Sequence, residues 1–180
     1  VIPIDVGRQL LVDDFLIEKS DLKRTFHRPT YHKINPVMKA DQPWETSGKS
    51  YFVAPFQGRV LYDPSDQLFK IWYLHSTKGD YFCNSLGYAT SKDGIRWEKP
   101  VFAESRKPDA ESVSPKKGTN LALQGRRTCC NSVVLDHNAK SPEERFKMYG
   151  SVLFNGTWNC VYRTSPDGIH WSGPLVERPV

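Results

Sequence analysis

No stretch of this chain approaches the roughly 18 consecutive apolar residues that a membrane-spanning helix requires, so no membrane span is expected. Blocks of one charge are missing as well. The net charge of +5 and the pI near 9.0 could suit an anionic partner, but the 25 Lys and Arg residues are scattered among 20 Asp and Glu instead of gathered in one block, which makes nucleic acid a poor partner. Cysteine is sparse: Cys83, Cys129, Cys130 and Cys160 include no C-x-x-C pair, which argues against a thiolate metal site. The chain opens at Val1 without a Met or a signal-like apolar stretch and reads as a processed or trimmed product. What it does contain, 38% hydrophobic and 12% aromatic residues, is enough for a packed core.

The chain is organised around a repeat. Tyr88-Ala89-Thr90-Ser91-Lys92-Asp93-Gly94-Ile95-Arg96-Trp97 returns 74 residues later as Tyr162-Arg163-Thr164-Ser165-Pro166-Asp167-Gly168-Ile169-His170-Trp171, and a period of tens of residues marks repeated supersecondary units. Upstream, Val60–Asp63 matches Val133–Asp136, and Phe69–Tyr73 matches Phe146–Gly150. Each repeat therefore reads as a four-strand meander. In the shared core T-S-x-D-G-I-x-W, Gly94 and Gly168 supply positive φ, Asp93 and Asp167 bond the following backbone, and Ser91 and Ser165 help to close the turn. Ile95 and Trp97, like Ile169 and Trp171, stand two apart and are expected to share one strand face. The motif is structural, and Asp93 and Asp167 are turn formers.

In chain order, Gln9–Glu18 reads as a short strand, an Asp13-Asp14 turn and a second short apolar run, an arm expected to pair with the sheet. Residues 1–57 form this arm and a loop entering the first repeat, at 58–100. Strands are expected over Gly58–Asp63, Leu68–His75 and Phe82–Thr90, with a short fourth through Trp97. Residues 101–130 form an inter-repeat loop, 131–174 the second repeat, and 175–180 the start of further chain. One disulfide between Cys83 and Cys160 is conceivable, since both fall in the third strand of their repeats; Cys129 and Cys130 could hardly bridge each other. Asn155-Gly156-Thr157 is a glycosylation sequon if the protein is secreted by a eukaryote.

Candidate functional residues lie in loops beside the repeats. Asp41-Gln42-Pro43-Trp44-Glu45 combines two carboxylates and an indole, as sugar chemistry requires: a group for the leaving oxygen or water, and a flat apolar face for the ring. A turn cap at Asp41, a core Trp44 and a solvated Glu45 are the plainer alternative. Arg126 and Arg127 could fork onto a carboxylate, sulfate or phosphate, or simply be solvated. Taken alone, His27 and His32 are ordinary surface or hydrogen-bonded histidines, with no second ligand at metal spacing.

The repeated S-x-D-G-I-x-W motif, the opening Leu11–Glu18 and the string His27-Arg28-Pro29, Asn35-Pro36-Val37 and Asp41–Glu45 together resemble the five-bladed β-propeller glycoside hydrolase superfamily, near families 32, 43 and 130. The resemblance implies an all-β fold of four-stranded antiparallel blades, about two of them in this chain. It implies bacterial, secreted or periplasmic proteins that degrade polysaccharides through carboxylates at one mouth of the channel. Asp41 and Glu45 would then be catalytic, with Trp44, Asn120, Arg126, Arg127 and His27 binding substrate. No cofactor is required, though a channel calcium ion occurs in some propellers. The Trp-x-Asn-Asp-Pro and Arg-Asp-Pro motifs are absent, which leaves open a non-catalytic glycan-binding module or a phosphorylase. The expected partners are a carbohydrate and the remaining blades, from the same or another polypeptide.

Overall fold

Leu68–Ser76 is a nearly continuous apolar run that is covered on both faces, whereas Phe146–Phe154 alternates between buried and more open residues; both follow Asp- and Pro-containing turns and read as extended chain with one residue in two on each face. The computed structural model describes residues 13–55, 58–76, 83–104, 115–154, 156–173 and 176–179, except the side chains of 83, 84, 125–130, 154 and 176–179. It divides into a segment 1–33 and a main body 34–180. In the first, Asp13 and Asp14 form the expected turn: the Phe15 amide donates to Asp13 Oδ1 and the Ile17 amide to the Asp14 carbonyl. No strand follows over 13–33, and 1–12 lie outside the described residues.

The main body is antiparallel β structure: β1 (Phe52–Ala54), β2 (Val60–Asp63), β3 (Leu68–Ser76), β4 (Cys83–Ser91), β5 (Leu121–Leu135), β6 (Phe146–Phe154), β7 (Thr157–Ser165) and β8 (Val176–Pro179), with one 3-10 turn at Pro142–Glu144. The pairing order is β1-β3-β4-β5-β6-β7-β8, and β2 lies beside the first half of β3 while β1 lies beside its end. Register aligns the repeats residue by residue, since Phe69 faces Ser91 across β3 and β4 as Phe146 faces Ser165 across β6 and β7.

Two strand expectations are corrected. The strand expected through Trp97 is only a bridge between Thr90 and Glu98, because the turn motif ties residues 91–96 into a bend. There the Ser91 hydroxyl accepts from the Gly94 amide at 2.8 Å, and Asp93 Oδ1 accepts from the amides of Ile95 and Arg96 at 2.8 and 2.7 Å. Those amides hold the Asp93 carboxyl down at about 2. Ser165 and Asp167 repeat the arrangement, with φ of 72° at Gly94 and 78° at Gly168. The place beside β4 is taken instead by β5. Its residues 121–128 pair with β4, and from Thr128 onward, with a bulge between Cys129 and Ser132, it pairs with β6, so the expected inter-repeat loop is partly strand. β8 holds the same place beside β7.

The core forms where the two repeats meet. Trp72, Leu74, Leu86 and Tyr88 of the first pack on Val133, Phe146, Met148 and Trp171 of the second. The Trp72 indole N–H donates to the Gly168 carbonyl at 2.7 Å, and its ring lies 5.7 Å from Phe146 and 6.4 Å from Trp171. Asp63, fully buried, accepts from Lys70 at 2.6 Å and from Arg145 of the other repeat. The opposite face of β3 packs Ile71 and Tyr73 against Met38, Val53 and Trp97. The Cys83–Cys160 disulfide is excluded: Cys160 is a free, exposed thiol, and β4 and β7 stand three pairings apart. At about 4.8 Å per pairing, that distance is roughly twice what a disulfide spans.

Candidate functional site

A tight turn creates the best cluster of polar side chains. Pro43 presets the backbone of a turn in which the amides of Glu45 and Thr46 donate to the Gln42 carbonyl at 2.9 and 3.1 Å. This directs the Glu45 side chain back to its own start, where Oε2 accepts from the amides of Asp41 and Gln42 at 3.0 and 3.1 Å. The reach resembles the glutamate of a helix capping box.

Long-range partners complete the arrangement. Glu45 Oε2 also accepts from Lys99 at 2.7 Å, and Oε1 accepts from the Tyr73 hydroxyl at 2.7 Å. Lys99, its side chain 6% exposed, bonds Asp41 Oδ1 at 2.9 Å and the Lys39 carbonyl at 2.6 Å, and its ammonium lies 5.5 Å from the centre of the Tyr73 ring. Asn120 accepts from the Trp44 indole at 2.8 Å and donates to the Tyr88 carbonyl at 2.8 Å and to the Tyr73 hydroxyl. Gly87 makes room for this: a Cβ there would stand 2.3 Å from the Tyr73 ring.

The two carboxylates differ in kind. Glu45 is wholly buried with both oxygens bonded to protein donors, while the Asp41 side chain is 59% exposed. Partial burial pushes the Asp41 carboxyl up, but hydrogen bonds from Lys99 and Gln42 outweigh it and hold the group below its ordinary value. Trp44 is half-buried with its N–H engaged, so its ring is fixed in orientation. Burial and the Glu45 charge hold the Tyr73 hydroxyl protonated.

His75 lies two residues along β3 from Tyr73, buried, and among the described residues neither ring nitrogen has a hydrogen-bond partner. The backbone of Glu45 and Trp44 approaches the ring without reaching hydrogen-bond geometry, and burial pushes the imidazole pKa down against the attraction of the Glu45 charge.

Of the residues singled out in the sequence, the fold brings together Asp41, Trp44, Glu45 and Asn120. Asn120 is fully buried, with both ends of its amide used inside the protein. The side chains of Arg126 and Arg127 lie outside the described residues, and His27 is an exposed residue of segment 1–33. Sequence reasoning missed Lys99, Tyr73 and His75. Alternation along β3 places Ile71, Tyr73 and His75 on one face, which was a usable signal for two of them; nothing local marks Lys99. Among the described residues, no three His, Cys, Asp or Glu side chains gather as a metal site, and no helix is long and apolar enough to cross a membrane.

Comparison with known proteins adds one finding. No family model matches the chain, and no curated protein does. A solved structure described as a "putative glycoside hydrolase" from Parabacteroides distasonis is 21% identical, with a TM-score of 0.49. The match covers 83% of this chain and 42% of that one, so this chain spans less than half the length of that protein.

Proposed function

We propose that the two repeats are blades of a β-propeller glycoside hydrolase acting on an oligo- or polysaccharide, with Asp41 as the carboxylate that meets substrate. The propeller reading is supported by two four-stranded units packed face to face, each closed by the same Ser-x-Asp-Gly turn. The observation that carries the chemistry is an exposed carboxylate, held ionised by Lys99, on the same turn as an indole of fixed orientation. An ionised Asp41 is suited to accept a proton from water or to stabilise positive charge at the sugar, not to protonate a leaving oxygen. The proton donor is then a group elsewhere in the propeller. Glu45, bonded to Lys99 and to the Asp41 amide, acts as a positioning residue, and the half-buried Trp44 offers its ring for stacking. A polysaccharide substrate would go with a secreted or periplasmic protein.

The burial of Glu45 also favours a second reading, a glycan-binding module without catalysis, because only one carboxylate of the cluster is open to solvent. A glycan array followed by a reducing-sugar assay separates the two. Hydrolysis predicts that Asp41→Asn lowers sugar release by about 100-fold or more, the scale of one acid–base group, with binding kept. If the wild-type protein binds glycans and releases nothing, the module reading replaces it. Sugar release undiminished in Asp41→Asn refutes the role given to Asp41.

A further inference from the structure

His75 is 6% exposed, and among the described residues no hydrogen bond reaches either ring nitrogen. Buried polar groups are paired in nearly all folded proteins, so an orphaned imidazole beside the cluster has a cause. The register fixes its surroundings. β1 sets Val53 opposite His75 and β4 sets Ser85 there, and neither titrates. On its own strand Tyr73 shares the face, with its hydroxyl held protonated. The turn of residues 41–46 brings the carbonyls of Trp44 and Glu45 to the ring, together with the Glu45 carboxylate and the Lys99 ammonium, which also holds Asp41.

Two carbonyls are two acceptors. A neutral imidazole carries one N–H and one bare nitrogen, whereas an imidazolium carries two N–H groups, so the protonated ring is the form that matches this wall. Burial lowers the pKa of the ring most, the Glu45 charge and the two carbonyls raise it, and Lys99 lowers it again, with a net depression. His75 is therefore neutral at pH 7 and takes its proton only in acid. At neutral pH the Trp44 carbonyl is left, among the described residues, with one long contact, 3.5 Å from the Ser47 hydroxyl.

We propose that His75 is a proton-operated positioning residue, whose two N–H groups close in acid onto the Trp44 and Glu45 carbonyls and lock the turn that carries Asp41 and Trp44. The neutral ring has a single donor and holds at most one of the two carbonyls, so the turn is looser above the transition. The Trp44 indole, which reaches from this turn to Asn120, is held in one place when the lock closes. The lock rests on geometry alone; its effect on a sugar rests on the carbohydrate reading.

Two variants separate this role from packing. His75→Leu fills most of the space without polar atoms, and His75→Gln keeps a polar group that does not titrate. Because the wild-type ring gives up no hydrogen bond, both should fold at neutral pH. The Trp44 indole N–H resonance, assigned with Trp44→Phe, is followed without sugar from about pH 7.5 to 4.5, a range that brackets the ordinary histidine value and stays above the transition of Asp41. In wild type it should move with the midpoint of the His75 ring signal, and in both variants the movement should vanish. A ring still neutral at about pH 4.5, or a Trp44 shift that persists in His75→Leu, overturns the proposal. With a glycan that the protein cleaves, KM should fall over the same range by about tenfold, the effect of raising the His75 pKa by one, with kcat following the same course in wild type and variants. A wild-type KM as flat as that of His75→Leu overturns the positioning role. Coupled resonances in a protein that neither binds nor cleaves glycans support the lock and refute the carbohydrate reading.

Discussion

Replacing Lys99 by Met tests whether the cluster is a single electrostatic unit. The substitution keeps most of the stem's volume and removes the charge shared by Glu45 at 2.7 Å and Asp41 at 2.9 Å. Glu45 is fully buried, so the loss leaves a carboxylate with neutral donors only, from Tyr73 and two amides. Removing one partner of a buried pair costs about 3 to 5 kcal/mol, because the remaining charge stays desolvated. At 2–4 °C per kcal/mol for a chain of this size, the melting temperature should fall by about 6 to 20 °C. The double variant Glu45→Gln, Lys99→Met should lose less than the sum of the two single losses, since it leaves no buried charge. Asp41 supplies a second readout. Lys99 is the main group holding its carboxyl low, so its titration midpoint, followed by NMR, should rise in Lys99→Met. A melting temperature within about 2 °C of wild type, the scale of 1 kcal/mol or less, would refute the reasoning, as would strictly additive losses in the double variant.

Two further stability predictions follow from the repeats. Burial pushes the Asp63 carboxyl up, but hydrogen bonds from Lys70 and Arg145 prevail and bring it from 3.8 to about 2. Its folded value lies below its unfolded one, so its contribution, about 2 kcal/mol by linkage, is present above the unfolded value and lost as pH falls through the folded one. Urea midpoints between about pH 5 and pH 2 should therefore fall more steeply for wild type than for Asp63→Asn; parallel profiles would sink the assignment. The two motif glycines should also separate. Gly94→Ala costs about 1 to 2 kcal/mol for its left-handed backbone, with Phe69 4.0 Å away. Gly168→Ala meets the buried Trp72 ring at 2.4 Å as well, and calorimetry should show the larger loss there.

Much of the local structure was legible because it depends on near neighbours. The Ser-x-Asp-Gly turns close on their own side chains and amides, and the strands of each hairpin follow from a short apolar run in the first repeat, from alternation in the second, and from turns rich in Asp and Pro. The strand expected through Trp97 failed because the turn itself consumes residues 91–96. The loop expected over 101–130 takes in the first part of β5, which pairs with a different neighbour from the second part, a fact of pairing and not of composition.

By itself, then, the sequence determined an all-β chain, the register of its repeat, and the turn that brings Asp41, Trp44 and Glu45 together, since each arises within a few residues of chain. Only the tertiary structure decided which of these face solvent. Lys99, Tyr73 and Asn120 lie 54, 28 and 76 residues from their partners in the cluster, and no local pattern announces such contacts. They bury Glu45 and leave Asp41 exposed, so two carboxylates four residues apart acquire different environments from the side chains folded over them.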